Sequence, residues 1–231
     1  MTAAAARAPA PWSAGPPVPP GLAVVFADEA LLVFDKPAGL LAVPGRGDDK
    51  QDCLASRAQQ QWPDALVVHR LDMATSGLIV MARGADNQRL LSKAFAERQV
   101  HKHYVALVDG LLQEDIGAWR TIDLPIGVDW PHRPRRVIDF AHGKASVTKL
   151  RVLSHDLTLG TTRLALEPVT GRSHQLRVHL QAIGHPILGD ALYASVAAQA
   201  KSTRLALHAE SLVLAHPQTG ALLTLQSPPA F

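Results

Sequence analysis

Residues 67 to 82 read VVHRLDMATSGLIVMA. Two short apolar runs, Val67 to Leu71 and Leu78 to Met81, have the length and the β-branched content of strands, and Asp72 to Gly77 connects them. A strand pair bound for a core thus carries one acid, Asp72, at a strand end, with His69 and Arg70 before it and Thr75, Ser76 and Gly77 after it. Two readings stay open at this point. The carboxylate can cap the turn that the Thr-Ser-Gly segment makes, or it can be a functional group, since loops at strand ends are where sites are built.

Outward from this pair the chain alternates short strands with few helices. Leu22 to Phe26 and Leu31 to Phe34 read as strands, and Lys36-Pro37-Ala38-Gly39 breaks the pattern. Asp86 is placed to cap a helix through about Arg98, with Leu90, Leu91, Ala94 and Phe95 on one face and Lys93, Glu97 and Arg98 outward. HKHYVALVDG from His101 alternates like a strand, Tyr104, Ala106 and Val108 on one side and His103, Val105 and Leu107 on the other. Ser146 to Leu153 and Arg163 to Leu166 read as further strands. In GRSHQLRVHLQAIGHPILGD, Leu176, Leu180 and Ile183 have helical spacing, so Ser173 is expected as the cap, Gly184 as the stop, and Arg177 near the positive end of the helix dipole. There is no internal repeat, and the order is not βαβα. The expected class is α+β, a mixed, largely antiparallel central sheet with peripheral helices and loops.

The chain has 231 residues, enough for one catalytic-sized domain, expected over residues 21 to 231. Residues 1 to 20, MTAAAARAPAPWSAGPPVPP, are Pro and Ala with little else and are expected to be a disordered tail. With 47% hydrophobic and 19% charged residues the chain as a whole has globular composition. Cys53 is the single cysteine, which excludes a disulfide framework and a cysteine-based zinc site and suits a reducing cytoplasm. Leu54, Ala58 and Trp62 follow it at helical spacing, so packing rather than nucleophilic duty is expected of it. No apolar run approaches the roughly 18 residues of a membrane span. The net charge is only +3, but Pro131 to Arg151 gathers Arg133, Arg135, Arg136, Lys144, Lys149 and Arg151 against Asp139 alone. Such a run is either a solvated loop or a contact for a polyanion.

Several simple motif readings fail. Ser173 and His174 are adjacent, so their side chains diverge and make no nucleophile and base pair. His101 and His103 alternate on a strand, but no third ligand accompanies them at a telling spacing. Gly45-Arg46-Gly47-Asp48-Asp49 lacks the Gly-Lys-Ser/Thr ending of a phosphate-binding loop.

Three separated segments remain, HRLDMATSG, HKHY and GRSHQLRVH, together with DKPAGLLAVPGR upstream and IGHPILGDALYA, RLALHAESL and an HP.TG segment downstream. In order and spacing, from about residue 22 to the C-terminus, they resemble the RluA-type pseudouridine synthases. LLAVPGR, HRLDMATSG, DWPHRP and GRSHQLRVH are similar to the branch of dual specificity, which acts on large-subunit ribosomal RNA and on tRNA. The resemblance implies the pseudouridine synthase fold and the isomerisation of uridine within RNA, without metal or nucleotide cofactor. It implies Asp72 as the nucleophile, Arg177 as the cation that keeps it ionised and oriented, and Tyr104 as the ring that stacks on the target uracil. It also implies that the target is flipped out of its stack and that Arg70, beside Asp72 at the mouth, enters the vacated place. His69 next to it is expected to contact the RNA, and in the basic run, where the match is looser after DWPHRP, Arg133, Arg135 and Arg136 are expected to take phosphate contacts.

Larger members of the family carry an N-terminal RNA-binding domain, and here only the Pro/Ala segment precedes the motifs, so substrate choice is expected from loops of the catalytic domain. The expected partner is structured RNA, a large-subunit ribosomal hairpin and a tRNA anticodon stem-loop, bound by a monomer that uses no membrane and no metal. Two other classes compete. A catalytically silent RNA-binding or chaperone protein of the same fold has no need of Asp72, Tyr104 and Arg177 together, and a metal-dependent hydrolase built on His101 and His103 predicts loss of activity on chelation.

Overall fold

A computed structural model of the chain describes residues 21–231; the tail expected over residues 1 to 20 lies outside the described residues. The strands are β1 (Ala23–Ala27), β2 (Leu31–Lys36), β3 (Ala65–Val67), β4 (Ser76–Arg83), β5 (His101–Asp109), β6 (Trp119–Asp123), β7 (Ile126–Val128), β8 (Arg136–Ile138), β9 (Val147–Asp156), β10 (Thr161–Pro168), β11 (Leu207–Ala215) and β12 (Leu222–Gln226). The helices are α1 (Leu54–Gln61), α2 (Gly84–Ala96), α3 (Gln175–Ala182) and α4 (Val196–Ala200). Ten strands form one sheet in the order β1-β2-β4-β11-β5-β10-β9-β6, with β3 on β4 and β12 on β11; β7 and β8 form a separate hairpin. All pairings are antiparallel except β4 with β11. The class is α+β with a mixed sheet, as expected.

The one parallel contact divides the sheet, and the opening sequence stretch sits on the seam. Gly77 pairs with Ala209 there, at φ 107°, and a Cβ on it would lie 2.3 Å from the Ala209 carbonyl oxygen. Only glycine permits both the backbone angle and the approach. Strand β4 is buried along nearly its whole length because apolar clusters cover both faces. On one face Leu32, Phe34, Ile79 and Met81 pack with Leu54 and Ala58 of α1; on the other Leu31, Val33, Leu78 and Val80 pack with Leu91 of α2 and Leu212 of β11. Beyond the seam Ala106, Val108, Leu164 and Leu166 pack with Leu176 and Leu180 of α3. Tyr104 touches this cluster and that of α1, so it marks the place where the halves meet.

Three local expectations need correction. The strand expected over Val67 to Leu71 stops at Val67, because Val68 to Thr75 leave the ladder to form a loop over the seam. Leu71 keeps its apolar position by burying in the α1 cluster rather than by pairing. Helix α2 begins at Gly84, with Arg83 at its N-cap, so Asp86 lies in the first turn instead of capping it. Helix α3 is entered through His174, a left-handed residue at φ 58°, and not through Ser173, whose hydroxyl instead takes a hydrogen bond from Arg70 Nη2 at 3.1 Å. Gly184, at φ 84°, does follow the helix end. Cys53 is buried at the N-cap of α1, where its sulfur accepts from the Ser56 N–H at 3.3 Å.

Candidate active site

The loop from Val68 to Thr75 and the segment from Val169 to Arg177 face each other across a cleft of about 590 Å³ whose lining includes Asp72, Tyr104 and Arg177. Asp72 is therefore a loop residue over a sheet seam. The turn that the sequence suggested does exist, since the Thr75 N–H donates to the Asp72 carbonyl at 3.1 Å, but the side chain takes no part in it. Among the described residues the carboxylate accepts no hydrogen bond. It faces two basic groups instead, Arg177 Nη1 at 3.6 Å from Oδ2 and His174 Nε2 at 3.9 Å from Oδ1, with a quarter of its side chain exposed to the cleft.

Arg177 is held by a residue that sequence reasoning missed. Its Nε and Nη2 each donate to Asp190 at 2.7 Å, a two-pronged pair in which the carboxylate is fully buried. Asp190 Oδ1 also accepts the N–H groups of Leu192 and Tyr193, at 2.9 and 3.2 Å. The fork is thus locked on one edge and presents Nη1 to Asp72. Burial, and the position near the positive end of α3, work against the guanidinium charge. The hydrogen bond and charge of Asp190, with the charge of Asp72, outweigh the burial and raise its pKa further. Tyr193 adds a face contact, its ring centroid 5.0 Å from the guanidinium carbon.

Tyr104 reaches the cleft from β5, in register with Ala209 and Leu166. Burial, and then the charge of Asp72, raise its phenol pKa, so the ring stays neutral at physiological pH. Lys36 is a second missed residue, although it stands in the DKPAGLLAVPGR segment. It is wholly buried, and its Nζ donates to the carbonyls of Pro37 (2.9 Å), Leu40 (2.8 Å) and Met73 (3.1 Å), which ties the Asp72 loop to β2. Burial pulls its pKa down to about 7, against the charges of Asp72 and Asp35.

Arg70 and His69 sit side by side but are used differently. Arg70 is exposed at the cleft mouth and bridges the two loops through Ser173. His69 turns inward, its Nε2 accepting the Val80 N–H at 3.0 Å and its ring stacked on Phe95 at 4.3 Å. Burial, with a contribution from Lys102, lowers its pKa to about 3, so it is a neutral ring that braces the loop. Arg133, Arg135 and Arg136 are not brought into the cleft lining; they lie on the β7–β8 hairpin, which packs on α3 through Ile126, Ile138, Val178 and Tyr193. There Arg133 stacks over Trp130 at 4.7 Å, and Trp130 and Phe140 are exposed. The cleft wall instead carries Arg98, Lys102 and Arg172, cations that the sequence reading did not select.

A carboxylate at a sheet seam, held against a locked arginine and a buried tyrosine, defines a class: a model of the RNA pseudouridylate synthases matches residues 30–182. The relatives are close enough to name the group within that class. The dual-specificity RNA pseudouridine synthases RluA of Escherichia coli K12 and Haemophilus ducreyi are 45% and 44% identical over 216 residues, each over 94% of this chain and 97% of theirs. That of Yersinia pestis is 48% identical over 197 residues, 85% of this chain and 94% of its own. Among solved structures, human RNA pseudouridylate synthase domain containing 1 matches at TM-score 0.74 and 31% identity, covering 91% of this chain and 84% of that one. The chain belongs to the RluA-type pseudouridine synthases and is an isomerase acting on uridine in RNA.

Proposed function

We propose that the enzyme modifies one uridine in a tRNA anticodon stem-loop and one in a hairpin of 23S ribosomal RNA, of the U32 and U746 types, with Asp72 as nucleophile. The observation that carries the reading is the state of the Asp72 carboxylate: it accepts no hydrogen bond, opens on the cleft, and lies 3.6 Å from an arginine that Asp190 holds in place. An ionised carboxylate with its lone pairs free is what addition to a carbon of the sugar or the ring requires, and what charge stabilisation in an elimination route requires equally. In either route the bond from C1′ to N1 breaks, the uracil turns, C1′ bonds to C5, the C5 hydrogen leaves as a proton, and N1 takes up a proton in place of the sugar. No electrons are gained or lost overall.

Tyr104 is suited to stack on the detached uracil and to serve the proton at C5. A stem-loop hides the target atom, so the nucleotide must leave its stack, at a cost of a few kcal/mol. Arg70, planar and exposed at the mouth, is placed to fill the gap. The hairpin arginines and the exposed Trp130 and Phe140 suit phosphates and unstacked bases of a loop, the form in which RNA sequence is read. On this reading a monomer of residues 21 to 231 suffices, it works in the cytoplasm without metal or nucleotide, and removal of residues 1 to 20 leaves turnover intact.

Asp72→Asn keeps the shape and removes the charge. The variant is expected to fold, to bind the stem-loop RNA with affinity near wild type, and to form no pseudouridine; measurable turnover would remove Asp72 from its role. RNA from a strain lacking the gene, mapped for pseudouridine, tests the two substrates separately.

A further inference from the structure

The hydroxyl of Tyr193 has two partners, and one of them fixes its direction. The backbone N–H of Arg136 can only donate, and it lies 2.8 Å from the hydroxyl oxygen, which must therefore accept. The other partner is His174 Nδ1 at 2.7 Å. No third polar group is hydrogen-bonded to this oxygen among the described residues, and Tyr193 is only 6% exposed. Were the imidazole to donate from Nδ1, the phenolic proton would be left buried and unpaired, at the full desolvation cost of that group. The hydroxyl proton accordingly points at Nδ1. A ring nitrogen that accepts carries no proton, so a neutral His174 bears its proton on Nε2, the nitrogen 3.9 Å from Asp72 Oδ1.

We propose that His174 is a positioning donor for the Asp72 carboxylate, kept in its Nε2–H form by the Tyr193 hydroxyl and through it connected to the seating of the β7–β8 hairpin. The proposal rests on Asp72 being the reactive carboxylate. Burial holds the imidazole neutral by lowering its pKa; the charges of Arg177 and Arg136 act in the same direction, and those of Asp72 and Asp190 oppose it. The backbone supports the assignment independently. His174 and Arg98 are the non-glycine residues with positive φ among the described residues, and both line the cleft. The left-handed turn at His174 is unfavourable for a residue with a Cβ and sets the imidazole between Tyr193 and Asp72, edge to face with the tyrosine at 5.6 Å. The remaining gap to Oδ1 closes to hydrogen-bond length with a shift of about 1 Å, the scale on which site contacts tighten when substrate binds. A hairpin lifted from Tyr193 would free the hydroxyl to rotate. RNA seated on the hairpin and the carboxylate thus share one chain of groups, Arg136 N–H, Tyr193 O–H, His174 and Asp72.

The direct test is the nitrogen spectrum of the full-length protein labelled at histidine, with the His174 signals assigned by their absence in His174→Asn. A neutral ring protonated at Nε2 at neutral pH is expected; a ring protonated at Nδ1, or an imidazolium, overturns the proposal. In Tyr193→Phe the single-turnover rate on stem-loop RNA should fall about tenfold, the equivalent of one lost hydrogen bond of about 1.4 kcal/mol, while the Kd for RNA stays within about twofold, a smaller shift than such a bond is worth. An unchanged rate, or a Kd that rises as much as the rate falls, assigns Tyr193 to holding the hairpin alone and overturns the link. If that variant does not fold, the wild-type spectrum decides. Turnover by Asp72→Asn would refute the nucleophile reading and leave the tautomer result standing, so the two failures are distinct.

Discussion

Asp190 grips Arg177 by two hydrogen bonds of 2.7 Å, and the third nitrogen of the same guanidinium stands 3.6 Å from Asp72. One carboxylate is anchored and spent; the other is left free. The difference follows from surroundings, since Asp190 is fully buried and also takes two backbone N–H groups, whereas Asp72 opens on the cleft.

Asp190→Asn should therefore damage both fold and rate. Breaking a buried pair by removing one partner costs about 3 to 5 kcal/mol, and a guanidinium released from Asp190 can close on Asp72 and occupy its lone pairs. Urea unfolding and single-turnover kinetics check both effects. Asp72→Asn should lose far less stability, because its side chain makes no hydrogen bond; equal stability losses for the two variants would contradict the division of roles.

Arg98 and Lys102 line the cleft, and no carboxylate lies within ion-pair distance of either among the described residues. Burial, and then the charge of Arg98, lower the Lys102 pKa, as two unpartnered cations side by side would. A phosphodiester is the natural counter-charge. Lys102→Ala should weaken RNA binding on all sequences and reduce the slope of log K against log salt by about 0.7 to 1. Arg89→Ala, on an exposed residue already paired with Asp86, should leave the slope unchanged. Identical slopes for Lys102→Ala and wild type would remove the lysine from the RNA path.

Asp72, Tyr104 and Arg177 were singled out through the motifs HRLD, HKHY and HQLR that resemble those of the family, spacing alone having left Asp72 open as a turn residue, and the structure brings all three to one cleft. Asp190 was not legible: it lies in the IGHPILGDALYA segment, but pairing with Arg177 depends on how the chain turns after α3, which no periodicity reports. The overlong strand at Val67 to Leu71 has the same origin. Leu71 is buried against the α1 cluster and Val68 half-buried in the cluster of Phe95, neither by ladder pairing, and pattern alone does not separate the two. Ser173 is a residue type that favours caps, but the left-handed His174 takes the N-cap position and the Ser173 hydroxyl accepts from Arg70 instead. Strands β6, β7, β8 and β12, three to five residues long, were passed over, and so was the nine-residue β11 at the centre of the sheet, whose RLALHAESL run stood out only as a motif.

Lys36→Met should destabilise the protein by leaving the carbonyls of Pro37, Leu40 and Met73 without their donor, and should slow the reaction because Met73 adjoins the nucleophile. The loss should depend on pH in a stated direction. With the folded pKa pulled down to about 7 from the ordinary 10.5, the unfolded chain binds more protons between those values, so the wild type gains stability as pH rises through that window. The gap between wild type and Lys36→Met should widen from pH ~7.5 to ~9.5, by at most about 1.4 kcal/mol per pH unit. A gap that narrows would show that the three carbonyls hold the ammonium against burial.

Arg70 and Arg177 should separate when the RNA is varied. Arg70 is exposed, its one hydrogen bond crosses the mouth to Ser173, and nothing ties it to the carboxylate. If it fills the space left by the flipped nucleotide, Arg70→Ala should slow reaction most on an intact stem-loop and matter little where the target is already unstacked, since the few kcal/mol of unstacking are then absent. Arg177 is buried and faces Asp72 whatever the RNA does. Arg177→Ala should impair both RNAs alike, by at least the roughly 1 to 3 kcal/mol of a lost charged contact in a desolvated site. Single-turnover rates of the two variants on matched intact and destabilised stem-loops read this directly. Equal losses for Arg70→Ala on both RNAs would sink the insertion role, and a loss for Arg177→Ala confined to the intact stem-loop would sink its role beside the carboxylate.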